Sequence, residues 1–290
     1  MKHTKNYRKK RGFLPVFLLL IFIISLSSCG FLIYMEINKE LKIKDMEEDI
    51  QTFVTPTKQE TMDDGILDME TEPEETEPEE TESEEITDQS EEYETMFDWN
   101  GISESSDYAI GWIQIPGIER LNYPIVQHPE DNQFFLTHDW TGAAQSAGAI
   151  FMNRHNASDF TDMNSVIYGH RMKNGSMFGS LKKYASQEFL DENPCFYIYT
   201  PDGKKMTYDI ICYSSVTDGS DAYLMHFNSP NERIAYYDMM IDSAITKRNI
   251  DLGKFDTTIM LSFCNTTGYY DRLVVLGKLT DIDLDGQIIK

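Results

Sequence analysis

The sequence predicts a mainly β fold: an eight-stranded β-barrel, closed or nearly so, with a helical region before it and one long helix late in the chain. Three observations carry this expectation. Short runs rich in Val, Ile, Tyr and Phe recur between residues 110 and 279. Gly, Pro, Asn and Asp separate them at short intervals. Only one segment among them, opening at Ser229-Pro230, has strong helical spacing. The chain has 290 residues, enough for one substantial domain with additions.

Residues 1–12 form a basic tail, with Lys2, Lys5, Arg8, Lys9, Lys10 and Arg11 and no acid. Residues 13–35 follow as a nearly unbroken apolar run, and about 20 apolar residues suffice to cross a bilayer. Basic residues before the run and Glu36 after it place the N-terminus inside. The expected location is therefore the cell membrane, single-pass, with the rest of the chain extracellular. A cleaved signal peptide is a rival reading. Lipidation is another, because Leu26-Ser27-Ser28-Cys29 resembles a bacterial lipoprotein cleavage box. The run continues through Phe31–Met35 beyond that box, which favours an uncleaved anchor.

Residues 36–95 carry 24 acidic and four basic residues. Glu36–Ile50 has helical character. Beyond it, Thr71–Glu75, Thr76–Glu80 and Thr81–Glu85 are near-copies of one acidic pentamer. Such a tract repels itself and has too little apolar surface to offset its ordering entropy. The expectation is an acidic, disordered stalk over 36–95.

Residues 96–290 read as the folded domain. Its strands are expected at Ile110–Ile115, Tyr123–Val126 (with the edge-type Pro124), Ala149–Met152, Ser165–Tyr168, Phe196–Tyr199, Met206–Cys212, Thr257–Phe263 and Arg272–Leu279. The long helix places Ile234, Tyr237, Ile241 and Ile245 on one face. Shorter helices are expected over Met177–Tyr184 and before Gly111. Net charge here is acidic, 25 acids against 15 bases, with no basic patch among aromatics. Nucleic acid is not an expected partner.

Four cysteines are present: Cys29, Cys195, Cys212 and Cys264. Three lie beyond the apolar run, an odd number, so a disulfide framework is not the reading. Cys195 and Cys212 flank a turn at Pro201-Asp-Gly203 and read as buried thiols of neighbouring strands. Cys264 ends an apolar strand and precedes the polar loop Asn265–Gly268, where a thiol can be reactive. His170 ends another strand, and Arg272 begins a third. A nucleophile, a base and an anion-holding cation suffice for acyl transfer through a thioester. Each has a bland counterpart: a core cysteine, a loop histidine, and a rim arginine paired with Asp271 or another acid. His128, His138, His155 and His226 read as surface or loop residues. No His or Cys pair has metal-site spacing, so no metal and no cofactor is expected.

Taken together, Leu261-Ser-Phe-Cys264, Arg272 and Gly169-His170 resemble the pattern of the sortases, the cysteine transpeptidases of Gram-positive surfaces. The likeness covers roughly residues 96–280, and class B looks most similar. Gly111-Trp-Ile-Gln-Ile115, Tyr123–Gln127, Asn132–Leu136, Gly148–Met152, Tyr168–His170 and Met177–Leu181 run in that class's order, and the helix before the cysteine strand matches. Two departures stand out. Phe263 occupies the place of a usual threonine, and the Cys-to-Arg spacing is short for the class.

The resemblance implies a sortase barrel and a transpeptidase mechanism. Cys264 attacks the Thr–Gly bond of a C-terminal sorting signal, His170 moves the protons, and Arg272 holds the oxyanion or the substrate backbone. It implies Asn132, Leu136, Tyr223, Leu224 and Ser262 along the peptide groove. The implied partners are surface proteins bearing the signal and an amine acceptor on peptidoglycan or lipid II. Rival readings are a pilin-polymerising sortase, a cysteine protease, and an exported β-barrel binding protein with a structural Cys264. The Asp-Pro-aromatic lid pattern of the usual pilin class does not precede the barrel.

Overall fold

The computed structural model describes residues 13–54, 93–95, 97–264, 271–283 and 287–289, without the side chains of 13–16, 19–21, 23, 93–95, 264 and 287–289. The elements run α1 (Phe13–Gln51), β1 (Tyr93–Thr95), α2 (Trp99–Ser105), β2 (Ala109–Gln114), β3 (Asn122–Val126), β4 (Ile150–Met152), β5 (Asn164–Gly169), α3 (Gln187–Glu192), β6 (Cys195–Tyr199), β7 (Lys205–Thr217), α4 (Pro230–Asp242), β8 (Ala244–Lys247), β9 (Thr258–Cys264), β10 (Asp271–Asp283) and β11 (Gln287–Ile289). Short 3-10 turns cover Phe134–Leu136, Phe178–Ala185 and Asp221–Tyr223.

The strand order β10-β9-β5-β4-β3-β2-β6-β7 closes on itself through a β10–β7 ladder, giving the eight-stranded barrel. Inside it, Trp112, Ile125, Ile167, Phe196, Tyr208, Leu261 and Val275 form part of the main core. A second core lies between α4 and the outer barrel face, where Tyr236, Tyr237 and Met240 meet Val166, Ile211, Met260 and Val274. β9 serves both: Ile259, Leu261 and Phe263 belong to the inner core and Met260 to the outer one, as the two-residue period of a strand requires.

Several elements depart from the sequence reading. β7 and β10 are 13 residues each, because their pairing carries both strands well beyond their apolar stretches. α4 stops at Asp242, and Ile245 is an exposed residue of β8, hydrogen-bonded alongside β7. The buried face of α4 is Arg233, Tyr236, Tyr237 and Met240. Arg233 reaches inward to donate to the carbonyls of Met163 (2.9 Å) and Lys254 (3.2 Å), a packing role invisible to an apolar pattern. Pro124 lies in an interior strand, but the β3–β4 pairing spans only Ile125 and Val126, so the missing N–H costs no ladder bond to β4. The segment expected as a helix over Met177–Tyr184 is a 3-10 turn.

The stalk expected from residue 36 does not begin there. α1 runs on to Gln51, and its Ile43, Met46 and Ile50 are buried in the main core. Glu47 accepts from the Tyr123 hydroxyl at 2.6 Å and pairs with Arg120 at 2.9 Å. Val54 then forms a bridge with Phe97, and Asp98 N donates to Phe53 O at 2.9 Å. Residues 55–92, with the acidic pentamers, lie outside the described residues, as does the basic tail. The expected anchor, 13–35, falls within α1. Among the described residues no helix is long and apolar enough to cross a membrane.

Candidate active site

Three neighbouring strands end at one mouth of the barrel. β5 runs parallel to β9, with Tyr168 opposite Ser262 and Gly169 opposite Phe263. His170 follows directly, so it stands level with Cys264, the last residue of β9. On the other side of β9, antiparallel β10 sets Arg272 opposite Cys264. Backbone register alone therefore fixes the order His170, Cys264, Arg272. The Cys264 side chain lies outside the described residues.

A cavity of about 200 Å3 opens at these strand ends. Of the residues expected from the sequence, His170, Arg272, Asn132, Leu136 and Ser262 line it. Phe151, Tyr168, Gly169, Phe263 and Asp218 complete the wall. A roomier cleft of about 380 Å3 lies near the opposite end of β10, among Pro201, Lys204 and Ile282, but none of its lining residues is a His or Cys.

Among the described residues the His170 ring makes one firm hydrogen-bond contact: Nε2 lies 2.7 Å from the carbonyl oxygen of Leu136. A carbonyl only accepts, so Nε2 carries the proton and Nδ1 is left for proton transfer. Leu136 ends a 3-10 turn that the fold holds in place. Ala149 N donates to Phe135 O at 3.0 Å, and Phe134 stacks on His138 with ring centroids 4.0 Å apart. Gly148 makes the approach possible. It has φ +63°, and a Cβ there would overlap the Phe135 carbonyl oxygen and sit 3.0 Å from His170 Cδ2. His128 and His138, read as surface residues, both pack against Phe134.

Arg272 does find an acid. Its Nη2 donates to Asp218 Oδ2 at 2.7 Å, while Asp271 is exposed on the preceding residue. Tyr223 stands just outside the cavity wall. Its hydroxyl lies 2.8 Å from Ser262 Oγ, and its ring stacks on Tyr168 at 6.3 Å. Phe151 stacks on Tyr168 at 5.2 Å, so three rings form a continuous row. The Tyr168 phenol is pushed up, chiefly by burial and further by nearby Asp218, so it stays a neutral hydrogen-bonding group. Leu224 is not in the wall: its carbonyl accepts from Asn164 Nδ2 at 2.8 Å, and its side chain packs with the outer core under α4. Cys212 is fully buried, its thiol pushed up to about 11 by burial, which makes it inert.

Asp218 and Phe151 were not identified from the sequence. Asp218 follows a strand whose apolar signal ends at Cys212, so nothing local marks it. Tyr168 sits two residues before His170 in the quoted motif, and strand alternation alone points it and His170 toward one side.

A family model described as the sortase domain matches residues 113–280. A sortase B of Listeria monocytogenes is 32% identical over 174 residues, covering 59% of this chain and 69% of that protein. Sortase B of Bacillus anthracis, solved in complex with AAEK2, superposes with a TM-score of 0.57 at 28% identity, covering 65% of this chain and 85% of the other. Sortase B of Staphylococcus aureus gives a TM-score of 0.59 at 21% identity over 64% of this chain and 87% of the other, a likeness of fold.

Proposed function

Because this chain belongs to the sortase family, most similar to its class B, and is a cysteine transpeptidase of that kind, we propose that it cleaves a C-terminal sorting signal at a Thr–Gly bond and transfers the protein to a cell-wall amine. The observation that supports the proposal is the strand register that sets the Cys264 backbone between His170 and Arg272, which line one cavity. The Cys264 thiol passes its proton to the free Nδ1 of His170, and the resulting thiolate attacks the threonine carbonyl carbon. Arg272 donates to the oxygen that becomes negative. The C–N bond breaks, and His170 gives its proton to the departing glycine amine. The thioester is then attacked by an amine of peptidoglycan or lipid II, which yields a proton to His170 as the thiolate leaves. Asn132, Leu136, Ser262 and Tyr223 contact the signal peptide, with Leu224 further out.

The N-terminal part of α1 serves as the anchor, with residues 1–12 cytoplasmic and the catalytic domain outside. Phe17, Phe22, Ile24, Leu26, Phe31 and Leu32 are all more than half exposed or at half, an apolar surface suited to lipid. The domain incubated with sorting-signal peptides and candidate amines, followed by mass spectrometry, tests the reading. An acyl-enzyme on Cys264 and an amine adduct of the peptide are expected. Cys264→Ala should form neither, while Cys195→Ala and Cys212→Ala should form both. Turnover by Cys264→Ala would end the proposal.

A further inference from the structure

We infer that Asp218 is a positioning residue for this reaction, holding the Arg272 guanidinium at the mouth of the cavity. The inference rests on the transpeptidase reading above and extends it to a residue in the turn just past a different strand. The ion pair is short, 2.7 Å from Nη2 to Oδ2, and both partners line the same cavity as His170. An ordinary rim pair would lie away from the chemistry.

The placement of Asp218 is built into the frame. The β7–β10 ladder reaches its end at Asp271 opposite Thr217, one residue before Asp218. The chain then turns at once: Ser220 N donates to Thr217 O at 3.1 Å, and Gly219 takes φ +70°. The carboxylate is therefore carried by a long ladder and a closed turn. An arginine side chain is long and rotamer-rich, and fixing it before substrate arrives removes that ordering from the catalytic step. Among the described residues only Nη2 is engaged, which leaves Nε and Nη1 as donors toward the cavity.

The carboxylate also opposes the work of the cation, since its charge repels a developing oxyanion. Burial decides which effect wins. The Asp218 side chain is 43% exposed and that of Arg272 25%, so water screens the acid more than the base. Positioning is the larger effect, and removing the acid should slow the enzyme.

The test is a double-mutant cycle on Asp218 and Arg272, read by single-turnover acylation of Cys264 with a sorting-signal peptide. Asp218→Asn should lower the acylation rate about 10- to 100-fold with little change in peptide KM, as loss of a transition-state contact does. Asp218→Glu should restore part of the rate, because it keeps the charge. In an Arg272→Ala background, Asp218→Asn should cost nothing further. Circular dichroism and the thermal midpoint should stay at wild-type values throughout. Rates of Asp218→Asn within twofold of wild type, or losses that multiply in the double variant, would overturn this inference alone. Wild-type protein that forms no acyl-enzyme with any peptide would overturn the transpeptidase reading and this inference together.

Discussion

At the residue scale, the sharpest question is whether Arg272 stabilises charge or only seals a rim. An exposed ion pair is worth about 0–1 kcal/mol of stability and nothing in rate. A donor to a developing oxyanion is worth on the order of a hundredfold or more in turnover. Arg272→Lys and Arg272→Ala should both fold, with activity falling from wild type through Lys to Ala, because lysine keeps charge without the planar fork. Alanine turnover within a few fold of wild type would leave a Cys–His pair acting alone. Gly148 offers a second test, since it bears on the contact that orients His170. Gly148→Ala should shift the Phe135–Leu136 carbonyls and lower kcat far more than it raises KM; 15N NMR of the imidazole should show Nε2–H as the main tautomer in wild type and a mixture in the variant. His170, Cys264 and Arg272 stand out as candidates in the sequence because each sits at a strand end, where apolar pattern meets polar loop. Asp218 does not, because what matters about it is Arg272, 54 residues distant, and the role of Gly148 shows only in its close approach to Phe135 and His170.

At the element scale, the strands were read well and their lengths poorly. Apolar alternation marks where a strand is buried, and β7 and β10 run on for as long as each has the other to pair with. The helix α4 shows the opposite failure. Its apolar pattern passes through Asp242 without a break, and only the chance to pair with β7 turns Ala244–Lys247 into a strand. The last turns of α1 were the costliest misreading, since Ile43, Met46 and Ile50 looked like part of a charged tether. A chain beginning at Met96 would lack Met46 and Ile50, which close over Pro124, Trp140 and Ile150. Each buried aliphatic side chain is worth roughly 1.5–3 kcal/mol. Such a chain should therefore unfold at distinctly lower urea than one beginning at Glu36, and Ile50→Ala in the longer chain should cost roughly 2–3 kcal/mol. Equal midpoints would show that α1 merely rests on the barrel.

At the scale of the whole molecule, the closed barrel was legible from strand count and punctuation, while its relation to the N-terminus was not. Burial also gives the molecule a defined alkaline limit. Tyr123, Tyr184, Tyr208 and Tyr236 all have phenols pushed above their usual value, chiefly by burial. Their folded pKa values exceed the unfolded ones, so the stability they contribute is complete below about pH 10 and is lost as pH rises further. Absorbance at 295 nm should thus show part of the 16 tyrosines ionising only as the fold is lost; smooth titration of all of them with the far-ultraviolet signal intact would refute this. The meeting of Val54 with Phe97 changes what the acidic tract can be. Its two ends leave and return at one spot, so its contour, roughly 130 Å if fully drawn out, adds nothing to the reach of the enzyme. If the bilayer surface lies near Met35, the first buried turn at Ile43 is only about 12 Å of helix away. Under the anchoring proposed above, the enzyme is a fixture bolted to a membrane, its radius of action set by eight residues of helix, and a protease nick among the Thr-Glu-Pro repeats should cut the chain without casting the barrel adrift.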